Sequence, residues 1–308
     1  MRANKLPALS DAMLDLLWRQ WHELGAPAAR QKTASAHSII DPEALVLCSL
    51  AMLESEPRLG DALASWCTTN SQFLSVQRLN NLSGDYPEDV RDRVSDIAQI
   101  MVEDGKDLRW RPLARKRSAM PRILTPRNHK QSIRAPLDRP SAFLLRLRAI
   151  FGLGLRADIM VFLLRKRDPH DYVDAGEIAR ALGYTRTAVK RTLDVLSSAD
   201  AVSVSEGPDP GYAIGWTYFY DRLSKEIDRL PHWKYAHQTF LWVLALLKTE
   251  DDLGSGSEFL RELQTSRLLR EHTRFLVSEA GLFDYSDLRD PASVDVFVAG
   301  TTQWLKDC

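Results

Sequence analysis

The 308-residue sequence predicts a mainly α-helical protein with one small β-hairpin. Three observations carry that prediction. Apolar residues recur at helical spacing through most of the chain, one short stretch near residue 200 alternates with period two, and prolines and cations crowd into a single segment that divides the chain. The expected organisation is a helical domain over 1–108, a basic Pro-rich linker or arm over 109–140, a compact helical unit with the hairpin over 141–216, and a helical C-terminal domain over 217–308. With 44% apolar and 27% charged residues, the composition is that of a soluble globular protein.

In the first domain, Met13, Leu14, Leu17, Trp18, Trp21 and Leu24 recur one, three and four residues apart and share a helix face. Asp41-Pro42-Glu43 marks a helix start, because Asp accepts from open backbone N–H groups and Pro has no N–H to satisfy. Ala44, Leu45, Leu47, Cys48, Leu50, Ala51 and Leu53 then make that helix apolar on nearly every side, which places it at the buried centre of the domain. Over 87–103, Val90, Val94, Ile97 and Met101 form a stripe opposite Asp and Arg residues, with Gly105 just past the end.

Net charge is zero, with 41 basic and 41 acidic residues, but the charge is unevenly placed. Twelve cations (Arg109, Arg111, Arg115, Lys116, Arg117, Arg122, Arg127, Lys130, Arg134, Arg139, Arg146 and Arg148) lie between 109 and 148, against one acid, Asp138. That segment is +11 and the remainder −11, a local field able to attract polyanions. Pro112, Pro121, Pro126, Pro136 and Pro140 prevent a continuous helix there, so the segment reads either as a tether or as a basic arm that lies along phosphates.

Residues 143–167 read as one or two helices divided near Gly152 and Gly154. Asp174-Ala175-Gly176-Glu177 has capping-box spacing and opens a short helix, whose buried face is Ile178, Ala179 and Leu182 and whose end is Gly183. Thr185 is placed to cap a second helix to about Ser198, in which Val189, Leu193 and Leu196 face the core. Arg186, Thr187, Lys190 and Arg191 are thereby left toward solvent. Arg can donate two bonds to a guanine edge, Thr offers a hydroxyl and a methyl, and Lys neutralises phosphate. A merely solvated polar face is the plain alternative. Ala201–Ser205 alternates, Glu206–Gly211 is turn chemistry, and Tyr212–Trp216 can return as the partner strand.

Over about 156–216, a fifth of the chain, this pattern resembles the winged helix-turn-helix domains of the ArsR/MarR-like bacterial regulators. Arg156-Ala157-Asp158-Ile159 fits the leading helix, 177–193 the two-helix unit, and Ala199-Asp200-Ala201-Val202 the run into the wing. The resemblance implies that the second helix enters the major groove of double-stranded DNA, which assigns contact to Arg186, Thr187, Lys190 and Arg191, with Thr185 at the helix start. In such domains the wing touches the neighbouring backbone. Here Glu206 and Asp209 are acidic and no Lys or Arg lies between Arg191 and Arg222, so those phosphate contacts fall to the basic segment, foremost Arg115, Lys116 and Arg117.

Other chemistry finds little support. The most apolar run, 240–247, is eight residues long, too short for a membrane span, and the N-terminus has no signal-peptide pattern. Cys48, Cys67 and Cys308 form no CxxC pair. Gly152-Leu153-Gly154 follows a helical pattern, and phosphate-loop and HExxH motifs are absent. Gly254-Ser255-Gly256-Ser257 has no D-x-D pair after it, and His232 and His237 are five apart, a poor spacing for a shared metal. No cofactor, metal or catalytic residue is therefore expected. The tail shows helix signals over 218–230, 231–248 and 257–280, with Trp233, Tyr235, Phe240 and Trp242 as core or dimer contacts. The functional expectation is a cytoplasmic, nucleoid-associated and homodimeric transcriptional regulator. A winged-helix scaffold subunit of a larger, defence-type complex is the alternative, with a protein partner and only non-specific affinity for DNA.

Overall fold

The computed structural model describes residues 5–26, 39–114, 134–164, 171–215, 236–253, 263, 267–268 and 294–307; the helix expected over 218–230 and most of that expected over 257–280 lie outside them, and the helix over 294–307 was not expected. The first group is α1 (Lys5–Glu23), α2 (Pro42–Ala51), α3 (Arg58–Asn70), α4 (Val76–Ser83) and α5 (Glu88–Glu103). Asp41 caps α2 by accepting from the Ala44 N–H at 3.1 Å, and every residue from Pro42 to Leu50 is buried. Around α2 the indoles are anchored as well as packed. Trp21 donates to Ser49 Oγ at 2.9 Å, Trp66 donates to the Leu24 carbonyl at 2.8 Å, and the two rings meet edge to face at 5.6 Å.

Both described ends of the proline-rich segment are seated on this first core. Trp110 is buried in that core, Leu113, Ala114, Ala135 and Leu137 pack against the core, and the Ala135 N–H donates to Asn70 Oδ1 at 2.9 Å. Arg115, Lys116 and Arg117 lie outside the described residues, as do Arg122, Arg127 and Lys130. The described cations of the segment turn partly inward. Arg109 pairs with Asp107, Arg139 donates to the His22 carbonyl, Arg146 donates to the Leu137 carbonyl, and Arg148 is buried.

The next helices, α6 (Phe143–Phe151) and α7 (Leu155–Leu164), break at Gly152 and Gly154, where φ is +80° and +139°. Then come β1 (Val173–Asp174), α8 (Ala175–Leu182), α9 (Arg186–Ser198), β2 (Val202–Val204) and β3 (Gly211–Ile214). β2 and β3 form the expected hairpin, in the register Val202↔Ile214. The sheet has a third strand that the sequence reading did not include: β1 pairs antiparallel with β3, Val173 opposite Tyr212, giving the order β1-β3-β2. Two residues are too few for a visible alternation.

α10 (Ala236–Leu253) and α11 (Val294–Asp307) complete the first core, contributing Phe240, Trp242, Val243, Leu246, Val298 and Leu305 to it. α11 lies along α1, where the Arg19 guanidinium donates to the Leu305 and Lys306 carbonyls at 2.7 and 3.0 Å and caps the helix C-terminus. A second core is built from α6–α9 and the sheet, and α6 divides between the two: Leu145 belongs to the first, Phe143, Leu144 and Leu147 to the second. The architecture is thus mainly α with a small three-stranded antiparallel sheet. No described helix is long and apolar enough to cross a membrane.

The α8–α9 turn touches the first group of helices directly. Gly183 ends α8 at φ +70°, and a Cβ there would lie 2.2 Å from Leu82 Cδ2 on α4. Gly183→Ala therefore meets both the left-handed backbone penalty and overpacking, and should lower stability by about 2–4 kcal/mol. In urea unfolding, Leu82→Ala combined with it should cost less than the sum of the two single changes, because only the steric part is relieved.

Candidate nucleic-acid interface

The α8–α9 unit is assembled by local signals. Asp174 accepts from the N–H groups of Gly176 and Glu177 at 2.7 and 3.2 Å, and Gly183 closes α8 by donating to the Ala179 carbonyl. Thr185 Oγ1 then accepts from the Ala188 N–H at 3.3 Å and starts α9. Val189, Leu193 and Leu196 are buried, while Thr185, Arg186, Thr187, Lys190 and Arg191 are all exposed. No described residue forms an ion pair with Arg186, Lys190 or Arg191. The outer face of α9 thus presents three cations and the positive end of a helix dipole together.

The hairpin beside it has the opposite sign. Glu206 and Asp209 are exposed at its tip, Ser205 Oγ accepts from the Gly211 N–H at 2.8 Å to hold the turn, and Asp194 and Asp200 are exposed nearby. Burial, with Asp194 beside it, pushes the Tyr212 phenol above its ordinary value. The structure therefore groups Thr185, Arg186, Thr187, Lys190 and Arg191 on one face. Arg115, Lys116 and Arg117 cannot be related to that face, because they fall outside the described residues.

Behind the turn lies a cluster the sequence reading missed. Arg78 on α4 donates from Nη1 to Asp41 Oδ1 and Glu43 Oε2 at 2.5 and 2.6 Å, from Nη2 to Asp41 Oδ2 at 2.5 Å, and from Nε to the Leu182 carbonyl at 2.7 Å. Arg148 on α6 donates from Nη1 to Glu43 Oε1 at 2.7 Å and to the Phe73 carbonyl at 2.7 Å, and its Nε reaches Asp158 Oδ1 at 3.0 Å. Tyr184, in the turn itself, donates to Asp158 Oδ2 at 2.9 Å. A signal for this cluster did exist. Glu43 and Asp158 are the only acids in helices dominated by apolar residues, and a charge buried there needs a partner.

Burial alone would raise the Asp41 carboxyl, but the adjoining Arg78 guanidinium overcomes it and holds Asp41 below the usual carboxylate value. Burial would likewise lower both arginines, and their carboxylate partners push them up instead. Cys48 and Cys67 are buried, which raises both thiols and makes neither a ready nucleophile. Among the described residues, no group of three or more His, Cys, Asp or Glu could hold a metal ion. No family model matches the chain, and neither a curated protein nor a solved structure matches it.

The cluster makes stability acid-sensitive with a definite sign. Asp41 is depressed below 3.8 in the folded state, so its contribution is complete above that pH and is lost as pH falls through the folded value. Urea midpoints of the wild type should decline below about pH 4 from this source, and Asp41→Asn, less stable at neutral pH, should show a shallower decline. Arg78→Met, which strands the buried Asp41 carboxylate and removes one of the two arginines at Glu43, should cost about 3–5 kcal/mol in the same measurement.

Proposed function

We propose that the chain is a sequence-specific double-stranded DNA-binding protein, built on a winged helix-turn-helix unit and acting as a transcriptional regulator. The supporting observation is the free cationic face of α9, positioned by a three-residue turn after α8, with Val189 and Leu193 locking the opposite face into the core. In this reading α9 lies in the major groove. Arg186 and Arg191 donate to guanine edges, Thr187 contacts a thymine methyl or a phosphate, Lys190 neutralises phosphate, and the amide end of α9 beside Thr185 faces the backbone. A two-fold dimer would match a two-fold operator, and the chain would act by binding in the cytoplasm, at the nucleoid, without a cofactor.

A second reading makes the same unit a protein-docking module, a scaffold subunit in a larger complex. The acidic hairpin favours it, together with the exposed side chains of Tyr172 and Val204 at the sheet and Val195 on α9. Fluorescence anisotropy separates the two. A duplex selected from a randomised pool should bind ~10³-fold or more tighter than scrambled duplex and keep that preference between ~50 and ~200 mM salt. Equal affinities that collapse together with salt would leave the scaffold reading. Lys190→Ala/Arg191→Ala should weaken the selected duplex about a hundredfold and reduce the salt slope by about two. Neutralising Arg115, Lys116 and Arg117 should weaken selected and scrambled duplexes alike, with a slope change of up to about three.

A further inference from the structure

We propose that Arg78 and Gln238, from the helical body outside the α6–α9 unit, and Tyr184, through α7 within it, are positioning residues for the DNA-reading helix, so that the contacts behind the α8–α9 turn set how α9 is presented to the groove. The proposal rests on the DNA-binding reading above and adds to it the part of the molecule that controls the geometry. Three separate anchors converge on the end of α8 and the turn. Arg78, from α4, donates to the Leu182 carbonyl at 2.7 Å, and Gln238, from α10, donates to the Arg180 carbonyl at 2.7 Å. Both acceptors are C-terminal carbonyls of α8, which lack helical partners, so these side chains do work that a cap would otherwise do. Between them Gly183 lies against Leu82, with no room for a Cβ, and Tyr184 donates to Asp158, which Arg148 holds.

The anchored segment borders the reading residues directly. Arg186 follows Tyr184 by two positions, so a displacement of the turn passes undiminished to Arg186, Thr187, Lys190 and Arg191. Bidentate contacts to base edges tolerate only about 0.5 Å and 10–20° of error, whereas attraction to phosphate depends little on angle. Loosening the turn should therefore reduce selectivity before it reduces general affinity. The hairpin cannot supply the missing restraint by gripping the backbone, because residues 192–215 contain no Lys or Arg.

Removing Arg78 would strand the buried Asp41, and loss of binding there would not separate positioning from unfolding. Tyr184→Phe combined with Gln238→Ala deletes two anchors and leaves every ion pair in place. The full-length variant is compared with wild type by anisotropy on the selected and scrambled duplexes, by thermal melting, and by hydrogen exchange over residues 182–191. The expected result is a loss of about tenfold or more on the selected duplex, with scrambled affinity and salt slope within about twofold of wild type and faster exchange over 182–191. Unchanged affinity for the selected duplex overturns the proposal, as does a parallel fall on both duplexes that tracks a lower melting temperature. If wild type shows no preference among duplexes, the DNA-binding reading fails, and exchange alone decides the anchors: acceleration confined to 182–191 upholds them, and unchanged exchange overturns them.

Discussion

Arg78 and Arg148 meet Asp41, Glu43 and Asp158 at the seam between the two hydrophobic cores, and none of the five side chains is more than 2% exposed. Taking ions out of water costs several kcal/mol each, and mutual attraction offsets that only where the hydrogen bonds are complete. Here both guanidiniums also reach backbone carbonyls, and Glu43 Oε1 accepts from the Ser75 N–H at 2.7 Å. Sliding one core past the other would strand several charges at once. The two cores therefore share one register, reinforced by α6, whose side chains belong to both.

That constraint shapes everything near the α8–α9 turn. The side of the unit facing the helical body is occupied by Leu82, Arg78 and Gln238, which leaves the outer face of α9 as its open cationic surface. The same constraint subtracts from the basic segment. Arg148 counts toward its charge in the sequence, yet it points into the seam, where Glu43 and Asp158 neutralise it. Under the proposed function, the outward field relevant to DNA is smaller than the +11 of the segment and is shared between α9 and the cations that remain free.

How much was legible depended on the range of the interaction. The Asp41 cap, the Gly183 stop and the Thr185 cap each involve residues within a few positions of one another, and all three stand where the sequence placed them. The division of α9 into a Val189/Leu193/Leu196 face and a cationic face follows from helical period alone. β1 was invisible because its partner is β3, far along the chain. Asp41 was read correctly as a cap but not as the partner of Arg78, and Gln238 carried no signal at all.

The amino-acid order alone determined the capped starts of α2, α8 and α9, which of their faces are apolar, and that the chain is mainly α with a small hairpin, because caps and faces depend on neighbours within about one turn. Tertiary structure alone decided which charges pair, that α10 and α11 complete the first core, and that α4 and α10 hold the α8–α9 turn. With 41 cations and 41 acids in one chain, many pairings satisfy the sequence equally. Only the way the chain returns on itself selects Arg78 for Asp41 and Arg148 for Asp158, because only there are those charges removed from water together.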